Sequence, residues 1–269
     1  MKRRGALAGV VLAFAVAVAA CGGGGGSDAT VSIKTLQAAV SNTQAAPSSR
    51  FTMDMGIDAS GKSVSLHAEG VSSADGKVAQ ITMTLPSLGT MEERVVDGTV
   101  YVNFGDMPFA SKLGGKPWIA INLDALGQKT GTDFGALADQ AQSSGPQQGL
   151  EYLQGLSGDV EKVGDDTVAG EHATHYRAQI DDAKVAQKLP EGATRDRVAT
   201  LGVVPADVWI DDGDRVVKMQ FAVDGSSFGE SGARLQMTME ITDFGVPVDV
   251  QAPPPDQVTD FSTLGSIST

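Results

Sequence analysis

The spacing of hydrophobic and polar positions changes once along this chain, from a helical period to a period of two. Apolar residues between Ile33 and Val40 recur three or four positions apart, which predicts an amphipathic helix over residues 31–44 that ends before Pro47. From Phe51 onward, apolar and polar residues alternate one by one. Alternation places the two kinds of side chain on opposite faces of a strand. Most of the chain is therefore predicted to be β-sheet.

Short turn signals separate the alternating segments of the first half. Asp75-Gly76 and Asp97-Gly98 are dipeptides that favour two-residue hairpins, and Ser60-Gly61 marks an earlier turn. These signals predict a meander of about five antiparallel strands with one apolar face. The strands are expected near residues 51–58, 64–69, 79–85, 91–96 and 99–104.

The second half mixes helical and strand-like spacing. Residues 106–156 break the alternation, and their spaced leucines and alanines predict helices near 123–141 and 150–156 as a helical insertion. A polar segment over 181–201 is also predicted to be helical, as is a short tail around 258–264. Further strands are predicted at the remaining alternating segments, which are 159–163, 171–180, 204–211, 216–224 and 233–244.

Together these elements predict an α+β fold, in which helices cover the apolar face of one broad antiparallel sheet of about eight to ten strands. A sheet of that size twists and curls, and its apolar face must be buried against something. The predicted helices give modest cover, so the concave side is either filled by side chains or open to an apolar ligand. Methionine is frequent relative to aromatic residues, and its flexible side chain suits either case. No repeat or composition shift marks a second domain.

The first 21 residues indicate export. Lys2, Arg3 and Arg4 precede an apolar run over residues 5–20, which is typical of a secretory signal peptide. The run is shorter than the roughly 20 residues needed to span a bilayer. It ends at Cys21, the single cysteine of the chain, so an intramolecular disulfide is excluded.

The segment Val18-Ala19-Ala20-Cys21 resembles the bacterial lipobox, in which diacylglycerol is attached to the cysteine before cleavage. The alternative is an ordinary signal peptide that leaves Cys21 as a free thiol. On the first interpretation residues 1–20 are removed, residues 21–30 form the lipidated cysteine with a flexible glycine-rich tether, and residues 31–269 form a single domain. A diacylglyceryl anchor on Cys21 gives stable attachment, so the predicted location is the outer face of the cell membrane.

The charge of the chain argues against two classes of partner. Removal of residues 1–20 takes away three of the 20 Lys and Arg residues, so the mature chain has 17 cations against 33 anions, a formal charge of −16. Nucleic-acid binding requires a basic surface and is not expected. Electrostatic adsorption to anionic lipid headgroups is disfavoured for the same reason.

Three motifs that suggest chemistry are better explained as turns or strands. Gly225–Gly229 fits the G-x-S-x-G pattern of a nucleophile elbow, but an alternating strand follows it and all three histidines lie upstream. His172 and His175 are three residues apart, which places them on opposite faces of a strand. Asp211–Asp214 is shorter than a calcium-binding loop and is predicted to be a hairpin turn. The sequence therefore predicts no enzyme, no metal site and no cofactor.

Several segments of the chain resemble actinobacterial lipoproteins of the LppX/LprG type. Thr167 to Glu171, followed by Thr174-His175-Tyr176, is similar to the family's G-E-x-x-T-H-Y strand, which begins here at Gly170, and Val204–Asp211 is similar to its P-x-D-V-W-I-D strand. The likeness extends over most of residues 31–262 in the order found in the family. Further similar segments are Ile241–Val248 with Ala252-Pro253, Asp97–Val102 and Lys116–Ile119.

The resemblance implies a half-open antiparallel barrel with helices over its mouth, similar to the LolA/LolB lipoprotein carriers. It also implies a hydrophobic cavity that takes the acyl chains, such as palmitate, of envelope lipids or glycolipids. Such a protein would carry or present lipid across the cell envelope, and an envelope transporter is a candidate partner. Residues 140–149 depart from the family pattern. The residues predicted to line the cavity are Met53, Met55, Ile57, Met83, Val100, Val102, Met219, Phe221, Leu235, Met237 and Met239.

Two other functions are compatible with an exported domain of this kind. A structural or adaptor lipoprotein would have a filled core and would dock other envelope proteins without carrying lipid. A solute-binding subunit of a transporter would have alternating strand–helix lobes, a pattern that this sequence lacks.

Overall fold

Twelve β-strands lie side by side in one sheet in the computed structural model, which describes residues 32–59, 61–86, 88–105, 107, 115–122, 146–187, 195, 198, 202–225 and 232–263. The strands are β1 (Ser48–Ala59), β2 (Lys62–Ser73), β3 (Ala79–Leu85), β4 (Gly89–Val96), β5 (Thr99–Asn103), β6 (Trp118–Asn122), β7 (Leu156–Val168), β8 (Glu171–Asp181), β9 (Val203–Asp211), β10 (Val216–Asp224), β11 (Arg234–Thr242) and β12 (Val258–Asp260). The helices are α1 (Ile33–Gln44), α2 (Pro146–Tyr152) and α3 (Asp182–Ala186), and short 3₁₀ turns cover Leu153–Gly155, Pro255–Gln257 and Phe261–Thr263.

The order of the strands shows two meanders joined at the centre of the sheet. From edge to edge it is β12-β6-β5-β4-β3-β2-β1-β11-β10-β9-β8-β7. Neighbouring strands are antiparallel except for β12 and β6, which are parallel. The pairing of β1 with β11 joins the first meander to the second. This open, curled sheet, with few helices among the described residues, confirms the α+β fold that the alternation predicted and the half-barrel that the resemblance implies.

The predicted hairpins of the first meander are confirmed. Asp97 and Gly98 both have positive φ angles, 50° and 73°, between β4 and β5. A two-residue type I′ turn requires this conformation at both of its central positions, and its twist matches the strands on either side. Asp75-Gly76 lies in the loop that links β2 and β3, as expected, but this loop covers residues 74–78 and is longer than a two-residue turn. Helix α1 ends at Gln44, before Pro47.

One strand was not predicted, and one predicted helix is wrong. β6 lies within the region predicted to be a helical insertion, where it pairs with β5 and places Trp118 opposite Asn103. The predicted helix of the tail is instead strand β12, because Val258 pairs with Trp118 in parallel, followed by a single 3₁₀ turn. The described part of the chain consequently forms a sheet of twelve strands rather than the predicted eight to ten. The helix predicted near residues 123–141 lies outside the described part of the chain.

Helix α1 packs on the apolar face of the second meander. Its buried side chains Leu36, Ala39 and Val40 belong to one core cluster with the inward side chains of β7 to β11. The buried hydroxyl of Thr43 accepts a hydrogen bond from the Val216 backbone N–H at 2.7 Å and donates one to the Ala39 carbonyl at 2.8 Å. The last turn of the helix is therefore hydrogen-bonded to the start of β10.

A strap of extended chain, residues 243–257, crosses the polar outer face of the first meander. Near its beginning, the hydroxyl of Ser48 donates to the Val246 carbonyl. Farther along, the Arg94 guanidinium donates to the Gln251 carbonyl at 3.2 Å and lies 4.6 Å from the centre of the Trp118 ring. The strap ends in β12, which covers the edge strand β6.

Candidate ligand-binding face

A row of methionines crosses the apolar face at the middle of the sheet. The strand register places Met219 opposite Met239, and Met239 opposite Met53 on the next strand. Beyond Ala68 on β2, the row continues through Met83 and Met91 on β3 and β4. The row therefore spans six neighbouring strands, which at about 4.8 Å per strand is about 24 Å.

Helix α2 covers one end of this row. Gly149 lies above Met219 and Met239, and a β-carbon at this position would be 3.1 Å and 3.2 Å from their sulfur atoms. The missing side chain lets the helix approach the sheet closely. As a result Met219 is 0% exposed and Met239 is 2% exposed.

Among the described residues, the other part of the apolar face has less cover. Ile57 and Val64, at the far ends of β1 and β2, are 41% and 52% exposed. Between them and the covered core lies a patch of half-buried apolar side chains on β1, β2, β3, β10 and β11. With Ile57 and Val64, the members of this half-buried patch are Met53, Met55, Leu66, Met83, Phe221, Leu235 and Met237.

The structure distributes the eleven predicted lining residues over three environments on the same face. Seven of them belong to the half-buried patch. Met219 and Met239 lie beneath α2, and Val100 and Val102 are buried in a separate cluster with Ala79. The alternation therefore correctly predicted the face on which these eleven residues lie. That they bind a ligand remains a prediction. Val64 and Leu66 of the patch were missed, although their strand alternates like the others.

A buried acidic side chain lies beside the patch. Tyr152, at the end of α2, packs its ring against Phe221 with 5.1 Å between the ring centres, and its hydroxyl donates to Oδ1 of Asp182. Asp182 is 0% exposed, and its Oδ2 has no hydrogen-bond partner among the described residues. Burial raises the pKa of Asp182 above its usual value, and it raises the pKa of Tyr152 as well. Sequence inspection missed this pair because its members are 30 residues apart.

The outer face of the second meander is polar and hydrogen-bonded. The ring of His175 stacks on Trp209 at 4.2 Å, and its Nε2 lies 2.7 Å from an oxygen of Asp207. The Trp209 indole donates to Asp166 at 2.9 Å. Hydrogen bonds to the Thr167 backbone and to Trp209 lower the pKa of the Asp166 carboxyl. These contacts give Trp209 a structural role on this face, since it packs on His175 and donates a hydrogen bond to Asp166.

The segments that suggested chemistry occupy the positions predicted for them where the structure describes them. β11 follows Gly225 as a strand, and the Gly225 N–H donates to the Ala233 carbonyl at 2.7 Å; residues 226–229 lie outside the described ranges. The Asp211–Asp214 segment is a turn, in which Asp211 accepts from the Arg215 backbone at 2.8 Å. His172 pairs with Asp212 at 2.7 Å.

The described ranges contain neither a candidate metal-binding group nor a helix that could span a membrane. Their His, Cys, Asp and Glu side chains form no group of three that could hold a metal ion. No helix within them is long and apolar enough to cross a membrane. The signal segment and Cys21 lie outside these ranges.

Comparison with known proteins found relatives among the streptomycetes. The chain is 31% identical over 185 residues to an uncharacterized 31.2 kDa protein of Streptomyces griseus, a match that spans 65% of this chain and 58% of that protein. It is 31% identical over 219 residues to a putative lipoprotein of Streptomyces coelicolor, which covers 76% of this chain and 67% of the relative. No protein-family model matches the chain.

Two of the similar solved structures come from mycobacteria, and the first of them is a lipoprotein. The crystal structure of LppX from Mycobacterium tuberculosis has 15% identity and a TM-score of 0.49, with 81% of this chain and 97% of LppX covered. LprF from Mycobacterium bovis has 16% identity and a TM-score of 0.47, with 82% and 96% covered.

Proposed function

We propose that this chain, which belongs to one family with the putative lipoprotein of Streptomyces coelicolor, is a lipid-binding envelope lipoprotein. The resemblance of its segments to actinobacterial lipoproteins of the LppX/LprG type supports this proposal. Its concave apolar face holds the acyl chains of lipids or glycolipids, and the protein carries or presents them across the cell envelope. The diacylglyceryl group on Cys21 anchors residues 31–269, as one domain, to the outer face of the cell membrane. The role is one of binding and not of catalysis.

The observation that carries the proposal is the half-buried patch on the concave face. Monomeric proteins rarely leave a contiguous apolar surface of this kind uncovered unless it contacts a partner or a ligand. Six of its nine side chains are methionine or leucine, which adapt to apolar partners of variable shape. The patch is bordered by a packed core on one side, so a bound acyl chain would extend that core.

The energy available from such binding is large. Each methylene group removed from water contributes about 0.8 kcal/mol, so a segment of a dozen methylenes contributes roughly 10 kcal/mol before the cost of ordering the chain. That is enough to hold a lipid without any headgroup contact. Release would then require an acceptor, such as the membrane or an envelope transporter.

The proposal can be tested by native mass spectrometry with lipid extraction on the chain from Val31 onward, produced in an actinobacterial host. We expect a diacyl or triacyl lipid in stoichiometric amount. Met237→Arg introduces a charge into the half-buried patch and should abolish lipid retention. Gln236→Arg adds the same charge on the opposite, exposed face of the same strand and should retain the lipid.

Two results would contradict lipid carriage. One is a protein that carries no lipid and whose mass is unchanged by incubation with envelope lipids. The other is a folded Met237→Arg variant that retains lipid as the unsubstituted chain does. A lipid-free protein would favour the adaptor function, since the core beneath α1 and α2 is already filled by side chains such as Leu36, Leu150 and Met219.

A further inference from the structure

Asp182 is an unusual residue for its position, because it is a fully buried carboxyl group beside an apolar surface. Its side chain is 0% exposed, and one oxygen accepts the hydroxyl hydrogen of Tyr152. The other oxygen, Oδ2, has no hydrogen-bond partner among the residues that the structure describes. Burying a polar atom without a partner is unfavourable, so native proteins keep few such atoms, often at functional sites.

The position of the pair connects it to the half-buried patch. Tyr152 ends helix α2, and its ring lies against Phe221, a member of that patch. Phe221 is in register with Met237 on β11, which in turn faces Met55 on β1. An acyl chain that lies on these three side chains would therefore have one end close to the Tyr152 ring and the buried carboxyl group behind it.

We propose that the Tyr152–Asp182 pair binds a hydroxyl group at the polar end of the acyl ligand, so that the preferred ligands are acyl lipids with a free glycerol or sugar hydroxyl. This inference rests on the acyl-chain binding proposed above and names its ligand class. A hydroxyl group both donates and accepts hydrogen bonds. It can thus donate to Oδ2 of an ionised Asp182 and accept from a protonated one, whereas a methyl ether has no hydrogen to donate.

The expected size of the preference follows from the chemistry of the bond. A hydrogen bond to a charged group contributes more than one between neutral groups, and its loss corresponds to roughly a ten- to hundredfold change in affinity. The proposed bond is therefore detectable as a difference between two ligands that share one acyl chain.

The test uses the full chain with Cys21→Ser, so that no lipid is attached, and titration calorimetry with two probes below their critical concentrations. The probes are monolauroylglycerol and its dimethyl ether, which have the same acyl chain. We expect monolauroylglycerol to bind about ten- to a hundredfold more tightly. Asp182→Leu should remove this preference and leave the affinity for the dimethyl ether within about threefold, because the apolar contacts are retained.

Two further variants make the interpretation specific. Asp181→Asn removes the neighbouring carboxylate, which caps α3, but keeps an oxygen that can accept the Ala183 N–H, and it should leave the preference unchanged. Asp182→Asn keeps the shape of the side chain and loses the charge, so the preference should fall to a few-fold. This variant also provides a test if Asp182→Leu does not fold, which circular dichroism would show.

The outcomes separate this inference from the proposed function. Equal affinity for the two probes would overturn the hydroxyl site and leave acyl binding intact, as would a preference that persists in Asp182→Leu. Failure to bind either probe would overturn both. Dodecyl glucoside, as a third probe, distinguishes the two sources of the hydroxyl. Binding of dodecyl glucoside that depends on Asp182 supports a sugar hydroxyl. An Asp182-dependent preference for monolauroylglycerol alone supports a glycerol hydroxyl.

Discussion

The contact between helix α1 and strand β10 provides a quantitative test of how the helix is held on the sheet. Thr43 is buried, and its hydroxyl accepts the Val216 N–H at 2.7 Å. Thr43→Val keeps the shape and the β-branch of the side chain but leaves this N–H, on a residue that is 0% exposed, without a partner. An unsatisfied buried donor costs about 1–3 kcal/mol. The methyl group that replaces the hydroxyl recovers up to about 0.8 kcal/mol.

We therefore expect Thr43→Val to lower the free energy of unfolding by about 1–2 kcal/mol. With a dependence on urea of roughly 3 kcal/mol per molar, the unfolding midpoint should move down by roughly 0.3–0.7 M. Thr35→Val is the matched control, because Thr35 is on the same helix and exposed. Its effect should stay within about 0.5 kcal/mol.

The assay is urea unfolding followed by circular dichroism, with amide hydrogen exchange at Val216 as a local measurement. In the Thr43→Val variant the Val216 amide should exchange faster than in the unsubstituted protein. The reasoning would be refuted by an unchanged midpoint together with unchanged exchange at Val216, since the N–H would then have another partner.

Two other substitutions test local features of the first meander. Gly70→Ala should destabilise the protein by about 1–3 kcal/mol, because the new β-carbon would lie 2.5 Å from the Gln80 carbonyl oxygen. Gly56→Ala is the matched control: its β-carbon meets nothing within 4 Å, and the substitution should stabilise the protein by about 0.5–1 kcal/mol. Thermal unfolding of both variants measures the two effects, and equal effects would contradict the prediction. Hydrogen bonds from the Ser73 hydroxyl and from a backbone N–H lower the pKa of Asp75 below 3.8, so Asp75 stabilises the fold above that pH and the contribution is lost as the pH falls through the lowered pKa. Ser73→Ala should raise this pKa toward 3.8 in a carbon-13 NMR titration of the carboxyl group, and an unchanged titration would refute the assigned cause.

Local patterns were sufficient to predict most of the strands. Alternation and glycine-containing turns are determined by neighbours in sequence, and they correctly indicated β1 to β5 and β8 to β11. β7 begins three residues earlier than predicted and ends five later, because its hairpin turn at Ala169-Gly170 was not recognised. The face that carries the methionines also followed from alternation alone.

The features that sequence inspection missed depend on contacts between distant segments. β6 is five residues long, and its pairing with β12 joins residues 140 positions apart, as in Trp118 and Val258. No local period reports such a pairing. In the same way, Asp182 looks in sequence like part of an acidic surface, and its burial depends on a helix that begins at Pro146. The sequence therefore predicts which face of the sheet carries the candidate site, but it does not predict which distant residues contact each other there.

The strap over the outer face limits the shape changes that are open to the sheet. It runs along the convex side, from Ser48 near the centre to β12 at the edge, where Lys116 also donates to the Val258 carbonyl at 2.9 Å. When the sheet curls more tightly, the path along its convex face lengthens, and the strap, which is fixed at both ends, is stretched. When the sheet flattens, this path shortens and the strap is no longer stretched. We therefore expect the first meander to resist tighter curling around an empty apolar face and to flatten more readily. The protein would then accommodate a bulky ligand by flattening this part of the sheet.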